Sequence, residues 1–564
     1  MQKKTKPKAT NSSSSNPQES YPWWKDAVIY QIYPRSFQDS NGDGIGDLQG
    51  ILDRLDYLNG DPNSLGIDAI WLSPIYPSPM VDFGYDISDY ENIDPIFGDM
   101  YTFKLLLKEC HNRNIKVVMD LVINHTSNLH PWFLESKSSA TSPKRDWYIW
   151  KKPNKKNVPN NWMSVFGGKG WEWDESTEEY YYHSFTPEQP DLNLRNPDVK
   201  NAIFKMIQFW LDLGVDGFRL DVVNFYYKDD KFRNNPSHFF KGLREYEKQD
   251  HIYDIDQSET HTLLEELRNL LDSYDGNRMS IGEIFMYPPG NAELPASYYG
   301  KETPELHMAF NFSFLYCKWT ANSFQKVILE WEKTLGYQNW PNYTLSNHDQ
   351  VRHITKYSKG NHTLPRAKIA AVMLLTLRGT PFLYYGEEIG MESDKIPRNK
   401  LCDPLGKRYW PLYSGRDNCR QPMCWNSNEQ NFGFSKAEPW LPISKNGSYT
   451  NVDEELKNKT SLLSIYKKLI QVRKKEIVLR RGSLRVLFLN NDKILSYIRM
   501  YEKERILILL NFTPEETRFF SGDENLEVER GKVLFSTHRK EESYFDLNII
   551  ALLPYEASII KLET

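Results

Sequence analysis

The chain has 564 residues, 70 of them Lys or Arg and 75 Asp or Glu, for a formal charge of −5. That balance excludes the strongly basic surface on which nucleic-acid binding depends. With 40% hydrophobic and 26% charged residues the composition is that of a soluble globular protein. No apolar run approaches the ~20 residues of a membrane span, and the longest, 369–375, predicts a buried helix. Aromatic residues reach 14%, enough to furnish either a large core or stacking surfaces for a ligand.

Residues 1–20 carry a Lys cluster without the apolar segment of a signal peptide, which predicts a disordered polar tail. A β-rich run at 27–33 opens the ordered chain. Leu48, Ile51, Leu52, Leu55 and Leu58 then repeat at helical spacing. Strands are predicted at 69–72 and 116–121, with a helix at 103–110 between them. From 125 to 196 periodicity is lost, and so long an irregular stretch predicts an inserted subdomain. Alternation resumes with a helix through Ile203, Met206, Ile207, Trp210 and Leu211. Further strands are predicted at 217–220, 279–284, 307–312, 343–345 and 381–385.

Eight strands separated by helices fit an α/β chain folded as a (β/α)8 TIM barrel over 21–124 and 197–480. No Gly-rich phosphate loop follows the first strand, which argues against a doubly wound sheet. A helix at 462–473 precedes short alternating strands, and residues 481–564 read as a C-terminal antiparallel β-sandwich domain. Five cysteines (110, 317, 402, 419 and 424), an odd number with no Cys-x-x-Cys pair, suggest reduced thiols and a cytoplasmic location.

In such a barrel the polar residues just after the strands mark the active face. The third strand runs into Asp120-Leu-Val-Ile-Asn124-His125, the fourth into Gly217-Phe-Arg219-Leu-Asp221, the fifth into Gly282-Glu283 and the seventh into Asn347-His348-Asp349. Arg219 and Asp221, two apart on a strand, point to one side. The arginine is expected to keep Asp221 ionised, as a nucleophile requires, while a less well paired Glu283 stays protonated as an acid. Two carboxyls with opposite protonation are what glycoside hydrolysis needs.

With these motifs the chain resembles the α-amylase superfamily of glycoside hydrolases from about Asp26 to its end. The resemblance implies Asp221 as nucleophile, Glu283 as general acid and then base, and Asp349 as transition-state stabiliser. It implies Arg219, His125 and His348 as ligands of the non-reducing sugar. Gln189-Pro-Asp-Leu-Asn193 is similar to an element of oligo-1,6-glucosidases and α-glucosidases. Asp82-Phe-Gly-Tyr85 is similar to the segment that closes the pocket over a terminal glucose, and Arg420 to an arginine that pairs with that Asp. A closed pocket implies exo attack on a small oligosaccharide or disaccharide. Val222, after the nucleophile, resembles the residue that accompanies α-1,6 preference, although its surroundings resemble general α-glucosidases equally.

Asp39-Ser-Asn41-Gly-Asp43-Gly-Ile45-Gly-Asp47 places oxygen donors at alternate positions. Gly50 rather than Glu stands at the twelfth position, so an EF-hand is not expected. The resemblance implies a structural Ca2+ (or Mg2+) there, held by the Asp39, Asn41, Asp43 and Asp47 side chains and the Ile45 carbonyl. Sucrose isomerases, trehalose synthases and transglucosidases share the catalytic motifs, so transfer stands beside hydrolysis. Lys228 is a basic residue available to a phosphorylated substrate. Non-catalytic transporter heavy chains resemble the barrel too, but have a membrane span and lack the acids retained here. The oligomeric state is left open.

Overall fold

A computed structural model describes residues 21–563 except 154–156, 239–241, 243, 287–289 and 523–529, so the expected tail over 1–20 lies outside the described residues. Eight strands form the central barrel: β1 Ile29–Ile32, β2 Ala69–Leu72, β3 Lys116–Leu121, β4 Gly217–Leu220, β5 Met279–Gly282, β6 Met308–Ala309, β7 Asn342–Thr344 and β8 Thr380–Tyr384. Neighbours pair in parallel in the order β7-β8-β1-β2-β3-β4-β5-β6. Among the described residues no backbone ladder joins β6 to β7. There the Asn342 side chain bridges, donating to the Ala309 carbonyl and accepting from the Asn311 amide.

Side-chain alternation divides the barrel into two packing layers. Ile29, Ala69, Trp71, Val118, Met279, Ile281, Met308 and Phe382 fill the interior. Tyr30, Ile32, Ile70, Leu72, Val117, Met119, Phe218 and Leu220 face the surrounding helices. Among those helices are Met100–Asn112, Pro197–Leu213, Ala321–Leu335 and Thr363–Thr376, and Asp99, Asn196 and Thr320 cap three of them through side-chain oxygens. The buried run 369–375 lies in the last, as expected. The helix expected across 48–58 is two pieces, Leu48–Asp53 and Leu55–Leu58. They part at Arg54, whose guanidinium leaves the helix to donate to Gln38 Oε1 (2.8 Å) and lie over Trp425 (4.3 Å).

After β3 the chain makes a small antiparallel sheet from Trp150–Lys151, Trp171–Asp174 and Glu179–Tyr182. Beyond the helix Leu462–Lys475 come a six-stranded antiparallel sheet and a two-stranded ribbon. Leu487, Ile498, Leu507, Phe519, Ile550 and Ile560 pack between them. The sheet's other face, through Leu495, Tyr497, Ile506 and Ile508, joins the barrel's helical layer.

Candidate active site

Register places the site. Asp120 on β3 is the direct partner of Arg219 on β4, both in the inward-facing set that includes Val118 and Gly217. As the barrel opens at the strands' C-terminal ends, these inward positions change from apolar to charged. Arg219 is buried and holds three carboxylates: Asp120 at 2.8 Å, Asp221 at 2.6 Å, and Glu283 in a short contact from the other terminal nitrogen. Glu283 is therefore not the less well paired acid the sequence suggests, because one guanidinium serves both.

Burial pushes Asp221 up to about 7, against the pull of Arg219 and with Asp120 adding repulsion. Burial pushes Glu283 further, to about 8, with Arg219 opposing and Asp221 and Asp349 reinforcing. The expected lowering of Asp221 by its arginine is thus outweighed by desolvation and like charge, yet the last proton in the pair still sits on Glu283. Asp349 differs. Burial opposes its ionisation, but the charges of Arg416 and Arg420 hold its carboxyl well below the usual range.

His348 is buried, and desolvation lowers it to about 3, so its ring is neutral. Gln31 donates to Nδ1 (2.8 Å), which leaves the proton on Nε2, 2.7 Å from the Tyr85 hydroxyl. Tyr85 in turn donates to Asp120 (3.1 Å), so the ring and the phenol are locked in a chain that ends on the Arg219 cluster. His125, lowered to about 4 by burial, donates from Nε2 to the Tyr85 carbonyl (3.0 Å).

The pairing expected between Asp82 and Arg420 is not found. Asp82 is held by Arg416 at 2.6 Å, and the same guanidinium binds Asp403 at 2.7 Å and approaches Asp349 at 3.4 Å. Arg420 instead donates to Asp349 (2.9 Å) and to the His348 carbonyl (2.8 Å). Both arginines flank the turn Asp417–Cys419, and which one reaches Asp82 is set by how that turn docks. The other residue missed is Asp403, whose carboxylate also accepts from the Gly406 and Arg416 amides and so fixes this arginine's backbone.

A cavity of about 550 Å3 brings together Asp82, Tyr85, His125, Asp221, Val222, Glu283, His348 and Asp349, with Arg416 and Gln189 on its wall. Arg219 and Arg420 lie just behind it. Val222 takes a left-handed backbone (φ 37°), a costly conformation for a β-branched residue, which turns β4 sharply after Asp221 and sets the Val222 side chain in the cavity wall. Lys228 is not at the mouth. It is buried, donating to Asp191, Asn124 Oδ1 and the Phe225 carbonyl, and so ties the inserted segment to β3 and β4.

The 39–47 loop lies apart from this cavity. Asp39 accepts from the Gly42 (2.7 Å) and Gly44 (2.8 Å) amides, Asn41 from Asp43, and Asp43 from Ile45. Asp47 caps the helix Leu48–Asp53 by accepting from Gly50. Among the described residues no three His, Cys, Asp or Glu side chains gather closely enough to form a metal cluster. The donors here, three carboxylates, one amide oxygen and one backbone carbonyl, are all oxygen and in type suit a hard cation.

A barrel with four acids and their arginines gathered at its C-terminal mouth defines a class of sugar-cleaving enzymes. The sequence profile described as "Alpha amylase, catalytic domain" matches residues 31–482. An oligo-1,6-glucosidase of Parageobacillus thermoglucosidasius is 38% identical over 96% of this chain and 99% of its own length. A probable alpha-glucosidase of Rhizobium meliloti (strain 1021) is 40% identical over 87% of this chain and 90% of its own. The solved structure of an alpha-glucosyl transfer enzyme superposes with a TM-score of 0.88 at 36% identity, covering 96% of this chain and all of that one. The chain belongs to the alpha-amylase family of glycoside hydrolases.

Proposed function

We propose that the protein is an exo-acting, retaining α-glucosidase that releases terminal non-reducing glucose from short α-glucosides. The observation that carries this reading is the closed inner end of the cavity, where Asp82, Arg416 and Asp403 form a buried bridge beside Asp221 and Glu283. A terminal glucose fits against such an end and an internal one does not. Asp221 attacks the anomeric carbon while Glu283 protonates the departing oxygen, and a covalent glucosyl-enzyme forms. Water, deprotonated by Glu283, then releases glucose. Asp349, ionised throughout, supports the positive charge that develops on the ring. That one guanidinium reaches both carboxyls supports the close spacing of retaining enzymes, about 5–5.5 Å, rather than the wider gap of inverting ones.

The α-1,6 lean rests on Val222 in the cavity wall and on the similarity to an oligo-1,6-glucosidase. Initial product release from isomaltose, maltose and sucrose, with every sugar resolved, tests it. Fast glucose from isomaltose alone supports the lean; fast glucose from maltose or sucrose makes this a general α-glucosidase. New disaccharides support the second reading, transfer or isomerisation, which the similarity to an alpha-glucosyl transfer enzyme favours.

The 39–47 loop is assigned a structural Ca2+, with Mg2+ as the alternative, on its all-oxygen donor set. It would brace the segment after β1 and take no part in bond cleavage. Elemental analysis after chelator-free purification, with Tm before and after EDTA, tests this; no bound metal and no Tm change refute it. A cytoplasmic location is supported by five free thiols. No described helix is long and apolar enough to cross a membrane.

A further inference from the structure

A second cavity, of about 330 Å3, adjoins the catalytic one, and Phe285 and Met286 line both. Phe285 is pinned through its backbone. Its amide donates to Asn224 Oδ1 (3.0 Å), and its carbonyl accepts from Asn224 Nδ2 (2.9 Å). The shared wall is therefore fixed, and the second cavity is a compartment of its own.

Its lining has hydrogen-bonding capacity to spare. Tyr246 and Gln249 are buried, and neither the Tyr246 hydroxyl nor Gln249 Oε1 has a partner, although Gln249 Nε2 donates to the Asn161 carbonyl (2.7 Å). Asn291 is exposed; its Oδ1 accepts from the Leu294 amide (3.2 Å), and its amino group is left for a ligand. Asp256 accepts from the Tyr298 hydroxyl through one carboxylate oxygen (2.9 Å). Unmet polar groups of this kind carry a penalty that a ligand hydroxyl removes. Ile252, Ile255 and Leu294 add apolar faces between them.

These groups narrow the ligand. Asp250 and Asp256 line the cavity and no Lys or Arg does among the described residues, so an anion is not favoured. Asp250 is paired with His238, and both nitrogens of His251 are taken, by Asp254 (2.9 Å) and the Tyr246 carbonyl (2.8 Å), so no metal-ligating set is left. Mixed donors and acceptors around small apolar faces suit a neutral hexopyranose, polar at its rim and C–H on its face. We propose that this cavity is a second sugar site, which takes a free hexose beside the catalytic cavity and outside it. The proposal rests on the glucosidase reading above: the glucose released there leaves by the mouth, since the inner end is closed, and passes the wall that the two cavities share.

Glucose is the probe, and the inner site is filled first. With 5-fluoro-α-glucosyl fluoride, Asp221 displaces the anomeric fluoride ion and the ring fluorine slows the water step, which leaves a trapped glucosyl-enzyme. Calorimetric titration of glucose into it is expected to show one site with Kd on the order of 1 mM. Asn291→Ala should weaken that binding about threefold. Asn291→Trp, at an exposed position, fills the cavity and should abolish it. No binding to the trapped wild type overturns the proposal, as does binding that Asn291→Trp leaves intact. The kcat/KM ratio of isomaltotriose to isomaltose is measured in parallel and should be the same in Asn291→Trp as in wild type. A fall would give the cavity to the substrate chain and overturn the free-hexose assignment. Failure of the trap to label Asp221, seen by mass before glucose is added, refutes the glucosidase reading instead; glucose is then titrated into the untreated protein and both variants, and the same losses decide the sugar site.

Discussion

Two sets of buried arginines make opposite use of one side chain. At the mouth, Arg219 and Arg416 face carboxylates on several sides and are held as cations well beyond the ordinary arginine range, although burial alone would lower them. At the opposite face, Arg473 and Arg499 are fully buried against backbone carbonyls. Arg473 donates to Leu375 (3.1 Å), Leu479 (3.2 Å) and Gly379 (2.6 Å), and Arg499 to Thr376 (2.6 Å), Gly482 (2.8 Å) and Ser483 (3.2 Å). Burial lowers them to about 10 and about 9, with their mutual repulsion contributing to the latter. They staple the end of the helix Thr363–Thr376, and the turn into β8, to the start of the C-terminal sheet. Carboxylate partners fix where charge sits; carbonyl partners fix where the chain goes.

The contrast can be broken by substitution. Asp221→Ala removes the group that bonds to the sugar and is expected to lower kcat by more than about 10⁴-fold with little change in Tm. Turnover near wild type would end the proposed mechanism. Arg416→Met leaves Asp82 and Asp403 buried without their cation, and a loss of about 10²–10³-fold in kcat/KM on isomaltose is expected. Arg420→Met spares Asp82 but takes a donor from Asp349, so its loss is expected in kcat rather than in KM, whereas a KM effect as large as that of Arg416→Met would reverse the assignment of partners. Arg499→Met strips donors from three carbonyls and is expected to cost about 1–3 kcal/mol of stability, read as a fall in Tm with kcat retained.

The smallest effect concerns pH. Activity needs Asp221 ionised and Glu283 protonated, so kcat/KM should fall below about 7 and again above about 8, a narrow bell. Both folded values exceed those of free carboxyls, so the folded state holds more protons than the unfolded one between about 4 and 8. The stability from the protonated acids is complete below about 4 and is lost as pH rises through 7 and 8. Glu283→Gln cannot ionise and should raise Tm relative to wild type at pH 9 but not at pH 4. An equal Tm difference at both pH values would deny the shift.

Much of this was legible in the sequence. The spans 69–72, 116–121 and 217–220 match β2, β3 and β4 residue for residue because runs of alternating or wholly apolar residues between turn formers leave little choice of register. Asp221, Glu283 and Asp349 were legible because strand ends converge in any barrel. What escaped depends on distances that no local pattern encodes. Arg416 and Arg420 are four residues apart in one turn, and only its docking decides which meets Asp82. Lys228 carries the sign a phosphate would want, but its Asp191 partner is 37 residues away. The protonation of Asp221 follows from summed burial and the nearby Asp120 and Asp349 rather than from the neighbouring arginine alone.

The seam between β6 and β7 gives the barrel a preferred place to breathe. Seven junctions are laced by backbone ladders, and this one is held across by the amide of Asn342. Phe312 and Tyr316, which flank the entrance, follow directly from β6, whereas Asp221 and Glu283 follow β4 and β5 on the fully laced side. Amides at 308–312 should therefore exchange with solvent well before those at 217–220. The doorway is hinged on the loosest joint of the frame, and of the acids it is Asp349, just beyond β7, that shares this joint, while Asp221 and Glu283 stand on strands laced on both sides.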